Sequence, residues 1–205
     1  MEGHGNEPYR TATDEEAMGA WQGGDAEAFR ELFRRWTPRL FSYFSVMSPE
    51  SAMDLVQETW IKVVRGKDRF DPSRPVKPWI FRIASRVRTD LFRSWAWKLR
   101  GLSSGKSRGD GSGTVEALDA QPSPALNPSA AAEQNEVAVM MRREIAGLRE
   151  PWRHAIVLHD LEGLTCAETA QVMGVPTATV LTWVRRGRLA LRTRLEAGGG
   201  MKPWN

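Results

Sequence analysis

Residues 164–196 read LTCAETAQVMGVPTATVLTWVRRGRLALRTRLE. Thr165 and Glu168 have capping-box spacing, so a short helix opens there and runs to Met173. Gly174 stops it, and Pro176 opens a second helix reaching about Glu196. Two helices joined by a tight turn, the first short and the second basic, predict a helix-turn-helix. Each position of that motif has a physical requirement. The helices cross where a small residue sits, here Ala170. The turn four residues later needs a backbone that tolerates positive φ, here Gly174. An apolar residue must lock the crossing from the second helix, here Val180, with Met173 and Val175 lining the same junction. A generic helical hairpin meets some of these requirements without being selected for all of them.

Working outward, Val137 to Leu148 and Pro151 to Leu161 read as two further helices, ended by Gly163. Residues 101–132, GLSSGKSRGDGSGTVEALDAQPSPALNPSAAA, hold almost no large apolar residues and predict a flexible linker. Before it lies another helical module. Thr13 and Glu16 form a capping box, and Asp25 caps a helix carrying Phe29, Leu32, Phe33, Trp36, Leu40, Phe41 and Phe44 at helical spacing. Pro38 predicts a kink in it. Ser48-Pro49 starts a helix with Met53, Val56, Trp60, Ile61 and Val64 on one face. Gly66 to Pro78 reads as a loop. Trp79 to Leu99 reads as a long helix with Ile80, Ile83, Val87 and Leu91 facing inward. No alternating run argues a strand. The expected fold is all-α: two small helical domains on a flexible linker. The expected boundaries are 1–24 for an N-terminal extension, 25–98 and 137–196 for the domains, 99–136 for the linker and 197–205 for a tail.

Composition bounds the function. The chain has 205 residues, 41% hydrophobic and 26% charged, with 29 Lys and Arg against 25 Asp and Glu. The net +4 is modest, so the placement of the basic residues matters more than their sum. The lone Cys166 forms no intramolecular disulfide and no CxxC pair. No apolar run is long enough to span a membrane, and the polar, acidic N-terminus is not a signal peptide. A soluble protein of a reducing compartment is expected. His4, His154 and His159 lack metal-ligand spacing, and there is neither a nucleophile elbow nor a P-loop, so no cofactor and no enzyme activity are expected.

The charge is concentrated. The helix from Thr177 carries Arg185, Arg186, Arg188, Arg192 and Arg194 against Glu196 alone. Arginine suits bidentate contact with guanine edges and phosphates, and the first turns of a recognition helix enter the major groove. Thr177, Thr179, Thr182, Arg185, Arg186 and Arg188 are the candidate DNA contacts there, with a solvated basic face as the alternative. The helix after residue 77 places Lys77, Arg82, Arg86, Arg88, Arg93, Lys98 and Arg100 against Asp90, interleaved with Trp79, Phe81, Phe92, Trp95 and Trp97. Cations beside aromatic faces suit unpaired bases, although Trp79 and Phe81 suit a core equally well. Asp54, Gln57 and Glu58 share one helix face, an acidic-polar surface in a basic module and a candidate protein-docking site.

DLVQETWIKVV (54–64) and PWIFRIASRVRTDLFRSW (78–95) resemble region two of bacterial sigma factors, and residues 148–195 resemble their region four. With only these two regions the chain is similar to the extracytoplasmic-function subfamily. The resemblance implies binding to core RNA polymerase, with Asp54, Gln57 and Glu58 on the polymerase clamp helices. It implies capture of flipped −10 bases by the loop from Asp68 to Lys77 and the helix after it, with Lys77, Trp79, Arg82, Arg86 and Arg88 as the contacts. The −35 element falls to region four through Thr182, Arg185 and Arg186. It also implies an anti-sigma factor as partner, and a bacterial cytoplasmic location without direct membrane insertion. Free in solution, the two modules are expected to fold against each other and hide both DNA faces. The sequence departs from the family pattern at Leu181, Thr182 and Trp183, where a basic-serine-basic run is common. It departs again at Arg86, where asparagine is common, and at Cys166. Leu181 offers a contact to a thymine methyl instead, Trp183 reads as core, and Cys166 reads as a small first-turn residue rather than a redox sensor. The competing reading is a stand-alone helix-turn-helix regulator binding duplex DNA as a dimer. It leaves the acidic face and the aromatic-basic helix without a purpose.

Overall fold

The computed structural model describes residues 9–101 and 128–197, with the side chains of 95–101 and 128–136 left out. Residues 102–127 of the expected linker, the tail beyond 197 and the side chains of Trp95 and Trp97 lie outside the described residues. Eight α-helices are described: α1 Asp14–Gln22, α2 Ala26–Met47, α3 Ala52–Gly66, α4 Val76–Gly101, α5 Pro128–Ala146, α6 Glu150–Ile156, α7 Cys166–Met173 and α8 Thr177–Ala197.

The first module is built from α1 to α4. Thr13 caps α1 through a complete capping box with Glu16, and Asp25 accepts from Glu27 N to open α2. α2 runs unbroken through Pro38, whose ring is exposed. Its inward stripe of Leu32, Trp36, Leu40, Tyr43 and Phe44 is fully buried. Each large apolar side chain of this kind contributes about 1.5–3 kcal/mol on leaving water. Aromatic rings tie the helices together. Phe29 meets Trp21 of α1 at 4.7 Å and Trp60 of α3 at 5.8 Å, and Trp36 meets Phe81 of α4 at 5.7 Å. The indole N–H groups are satisfied: Trp36 donates to Asp14 and Trp60 to Thr37. α1 belongs to this packing, since Ala17, Met18 and Trp21 are buried.

Two expectations need correction here. On α3 the buried stripe is Ala52, Leu55, Val56, Thr59, Trp60 and Val63, while Met53 and Val64 face solvent. The polar Thr59 joins the core because its hydroxyl donates to Leu55 O at 2.6 Å, which removes its need for water. The stretch read as a loop between Gly66 and Pro78 contains a 3-10 turn at Lys67–Arg69, and α4 starts earlier, at Val76.

The second module is α5 to α8. α6 ends in a π-turn over Val157–Leu161 before Gly163 at φ +69°. The helix-turn-helix has the expected construction. Thr165 and Glu168 form the capping box, Gly174 sits at φ +68°, and Ala170 and Val180 are buried at the crossing of α7 and α8. α8 crosses α6 at Gly187, where a Cβ would lie 2.7 Å from Ile156 Cγ1.

The modules pack against each other, α4 on α7 and α2 on α5. The seam is polar. Tyr43 Oη and His154 Nε2 are 2.9 Å apart, Arg88 pairs with Glu150 at 2.5 Å, Arg39 pairs with Glu162 at 3.2 Å, and Lys77 donates to Glu162 O at 3.2 Å.

Candidate nucleic-acid interface

The outer face of α8 is built by elimination. Val180, Val184 and Gly187 turn inward, which leaves Thr177, Leu181, Thr182, Arg185, Arg186 and Arg188 exposed. Thr179 is half-buried. Thr182 donates its hydroxyl to Ala178 O within the helix, yet its oxygen stays open to a partner. Arg188 is committed to a bidentate pair with Asp160 at 3.0 and 2.5 Å. Leu181 is 55% exposed, an apolar side chain among the polar ones of this outer face. Trp183 packs partly against the core beside Met173 and Val175. Cys166 is half-buried in the first turn of α7.

α4 divides its basic residues between two environments. Arg82 and Arg86 are exposed on one side. Trp79 is half-buried against Phe70, with ring centroids 4.8 Å apart, and Phe81 is wholly buried as core. Lys77 and Arg88 are engaged in the seam. Arg88 is only 6% exposed and its Nε has no partner, so a buried guanidinium rests largely on the Glu150 carboxylate. The closed arrangement therefore covers Lys77 and Arg88 and leaves the α8 face open. The expectation that both DNA faces are hidden therefore fails for α8 and holds on α4 only at Arg88 and in part at Lys77, since Arg82 and Arg86 stay exposed.

On α3, Asp54, Gln57 and Glu58 are all exposed. Glu58 and Asp90 share Lys62 at 3.8 and 3.5 Å. The seam residues Tyr43, Glu150, His154 and Glu162 were invisible to motif reading. The spacing of Glu150 and His154, one helical turn apart, is the trace they leave in the sequence. Burial, and then Arg88 and Arg153 close by, push the His154 imidazole down to about 3. Burial pushes the Tyr43 phenol up to about 12. Burial also holds the Glu162 carboxyl above its usual range, against the pull of Arg39 and Lys77. Among the described residues no acidic, histidine or cysteine cluster could hold a metal ion, and no helix is long and apolar enough to cross a membrane.

The family pattern for Sigma-70 region 2 matches residues 32–98, and that for Sigma-70, region 4, matches residues 138–191. Together they cover more than half of the chain, and each falls on one module. The ECF RNA polymerase sigma-E factor of Salmonella typhimurium is 29% identical over 192 residues, which is 90% of this chain and 95% of that protein. The ECF RNA polymerase sigma factor SigW of Bacillus subtilis is 26% identical over 175 residues, 84% of this chain and 91% of its own length. Among solved structures, the sigma factor RpoE of Bartonella quintana, captured with the anti-sigma factor NepR, superposes with a TM-score of 0.62. It covers 83% of this chain and 98% of that one at 20% identity, a likeness of fold. Two colinear family regions, each on its own helical module, and extracytoplasmic-function relatives matched over 95% and 91% of their own length place the chain among the sigma factors of the extracytoplasmic-function type, as an alternative sigma factor for promoter-specific transcription initiation.

Proposed function

We propose that the chain docks on core RNA polymerase through Asp54, Gln57 and Glu58. In that complex it reads the −10 element with Lys77, Trp79, Arg82, Arg86 and Arg88, and the −35 element with Thr177, Thr179, Thr182, Arg185, Arg186 and Arg188. The observation that carries this reading is α3. Its buried stripe is spent on the core, and its solvent face presents Asp54, Gln57 and Glu58, a carboxylate, an amide and a second carboxylate, with the exposed Met53 beside them. A regulator that only binds duplex DNA needs no such surface. The two DNA-facing helices differ as their targets require. α8 offers threonines and arginines at groove-reading positions, while α4 sets exposed arginines beside Trp79, which suits strand capture. Base extrusion costs a few kcal/mol, which a pocket for the extruded base offsets. Binding two separated elements through linked modules raises the effective concentration of the second contact.

The chain works by binding rather than catalysis, in the bacterial cytoplasm. An anti-sigma factor, the class of protein seated on RpoE, is its expected regulator. The test is complex formation with core polymerase by size exclusion, for the parent and for Asp54→Ala/Gln57→Ala/Glu58→Ala. Association of the parent and its loss in the triple variant support docking through α3. Association that survives the variant moves the docking surface elsewhere. Absence of any association, with DNA binding by the free chain, selects the stand-alone regulator.

A further inference from the structure

We propose that the seam between the two modules is a proton-sensitive latch: protonation of His154 breaks its contact with Tyr43, separates the modules and uncovers Arg88 and Lys77. The separation itself is independent of the polymerase-docking reading, which enters only in the consequence for DNA.

The geometry sets the sign. His154 on α6 is 4% exposed, and its ring faces α2 through Tyr43, 2.9 Å from the phenol oxygen. Tyr43 comes from the other module and is itself wholly buried, so each covers the other only while the modules are together. The titratable groups around the ring are few. From α2 there is the Tyr43 phenol, from α4 the Arg88 guanidinium, and from α6 itself Glu150 and Arg153. The nearby contributions of α7 and α8 to the same cleft are Met173 and Trp183, which do not titrate there. A protonated imidazole in this place would be a third cation beside two arginines, in a site with a single carboxylate that is already paired with Arg88. The closed form therefore admits only neutral His154. Separation returns the ring to water and to its ordinary value of 6.5, so opening takes up a proton at every pH between about 3 and 6.5.

One other seam group titrates nearby, and its sign is opposite. Glu162 is held above its usual range in the closed form, so it binds a proton more readily there and favours closure in acid. The two contributions are thus distinguishable by direction. From about pH 7.5 to about pH 5.5 the His154 contribution raises the open-to-closed ratio roughly tenfold.

The test reads opening even when it is rare. Ser85 on α4 is 8% exposed and lines the cleft between the modules. In the full chain carrying Cys166→Ala and Ser85→Cys, the labelling rate of the new thiol is divided by that of the denatured chain at the same pH. This quotient cancels thiolate ionisation and follows the opening ratio. It is expected to rise roughly tenfold between about pH 7.5 and about pH 5.5. With His154→Gln added, which keeps a hydrogen-bonding side chain but no titration, the quotient is expected to stay flat or fall. Tyr43→Phe is expected to raise opening at every pH and keep the slope, because burial of the imidazole remains. Three results overturn the proposal: no rise in the parent, the same rise in His154→Gln, or unprotected labelling at about pH 7.5. If His154→Gln fails to fold by circular dichroism, the imidazole proton resonance of His154 in the parent decides. A flat response above about pH 5 is expected, and an ordinary titration near 6.5 refutes the latch.

Discussion

Replacing Gly187 by alanine should destabilise the second module, although alanine is the better helix former. In an open helix the exchange gains roughly 0.5–1 kcal/mol. At Gly187 the new methyl would stand 2.7 Å from Ile156 Cγ1, 3.2 Å from Ile156 Cδ1 and 3.5 Å from Trp152 Cβ. Cγ1 is close to the backbone in a β-branched side chain that is only 1% exposed, so it cannot swing away cheaply. Relief requires α8 to move off α6 or Ile156 to leave its rotamer, an overpacking cost of about 1–3 kcal/mol. The cost exceeds the gain, and the net loss should be about 1 kcal/mol. Urea unfolding of the parent and Gly187→Ala, followed by circular dichroism, measures it as a lower midpoint at unchanged slope. Repeating the exchange in an Ile156→Ala background isolates the clash, for the crowding atoms are then gone and the alanine should stabilise. A higher midpoint for Gly187→Ala in the parent, or the same sign in both backgrounds, would refute the close-crossing argument.

Three further outcomes are expected. Gly174→Ala should cost about 1–2 kcal/mol in unfolding experiments, because Gly174 sits at φ +68°, where a Cβ presses on its own backbone carbonyl although the space around it is open, and Gly174→Asn should cost less. Arg186→Ala should weaken promoter binding within the polymerase complex; if Arg186 reads a base the loss is about 1–3 kcal/mol and relaxes specificity at one position, and if it holds a phosphate the salt dependence falls by about one contact, so competition binding across salt separates the two. In alkali the closed form should weaken: Tyr43 has a raised value of about 12, so its contribution is full below its ordinary 10 and is lost as pH rises from there toward 12, and because Tyr9 is raised as well, through its bond to Asp25, the late ionisation is assigned by the tyrosinate absorbance that Tyr43→Phe removes.

The helix-turn-helix was legible because its constraints are local. Thr165 with Glu168, Gly174 and Val180 each answer a requirement within one or two turns of chain, and the sequence meets them in order. α3 was harder to read for a reason that is equally local. Its true inward stripe includes Thr59, and a polar residue whose hydroxyl is satisfied by its own helix looks like a surface position in a pattern of apolar letters. Met53 and Val64 then drew the expected face off its axis. The seam lies beyond such reasoning. Arg88 and Glu150 are 62 residues apart, and Tyr43 and His154 are 111 apart. Nothing in the neighbourhood of either residue announces its partner. Arg88 was legible as a cation on a basic helix, but its engagement depends on how the modules sit together.

The one-sided seam makes the two DNA elements unequal as ligands. Duplex bound on the α8 face meets the same exposed threonines and arginines whether the modules are together or apart, so it has no leverage over the closed form, however tightly it is held. A strand that takes Arg88 must first take it from Glu150. Its apparent affinity is lowered by the scarcity of open chains, and any agent that holds the modules apart repays that loss in full. On the proposed assignment, the −35 contacts of α8 are available at rest, as are Arg82 and Arg86 of the −10 set, whereas Lys77 and Arg88 are released from Glu162 and Glu150 only when the modules part.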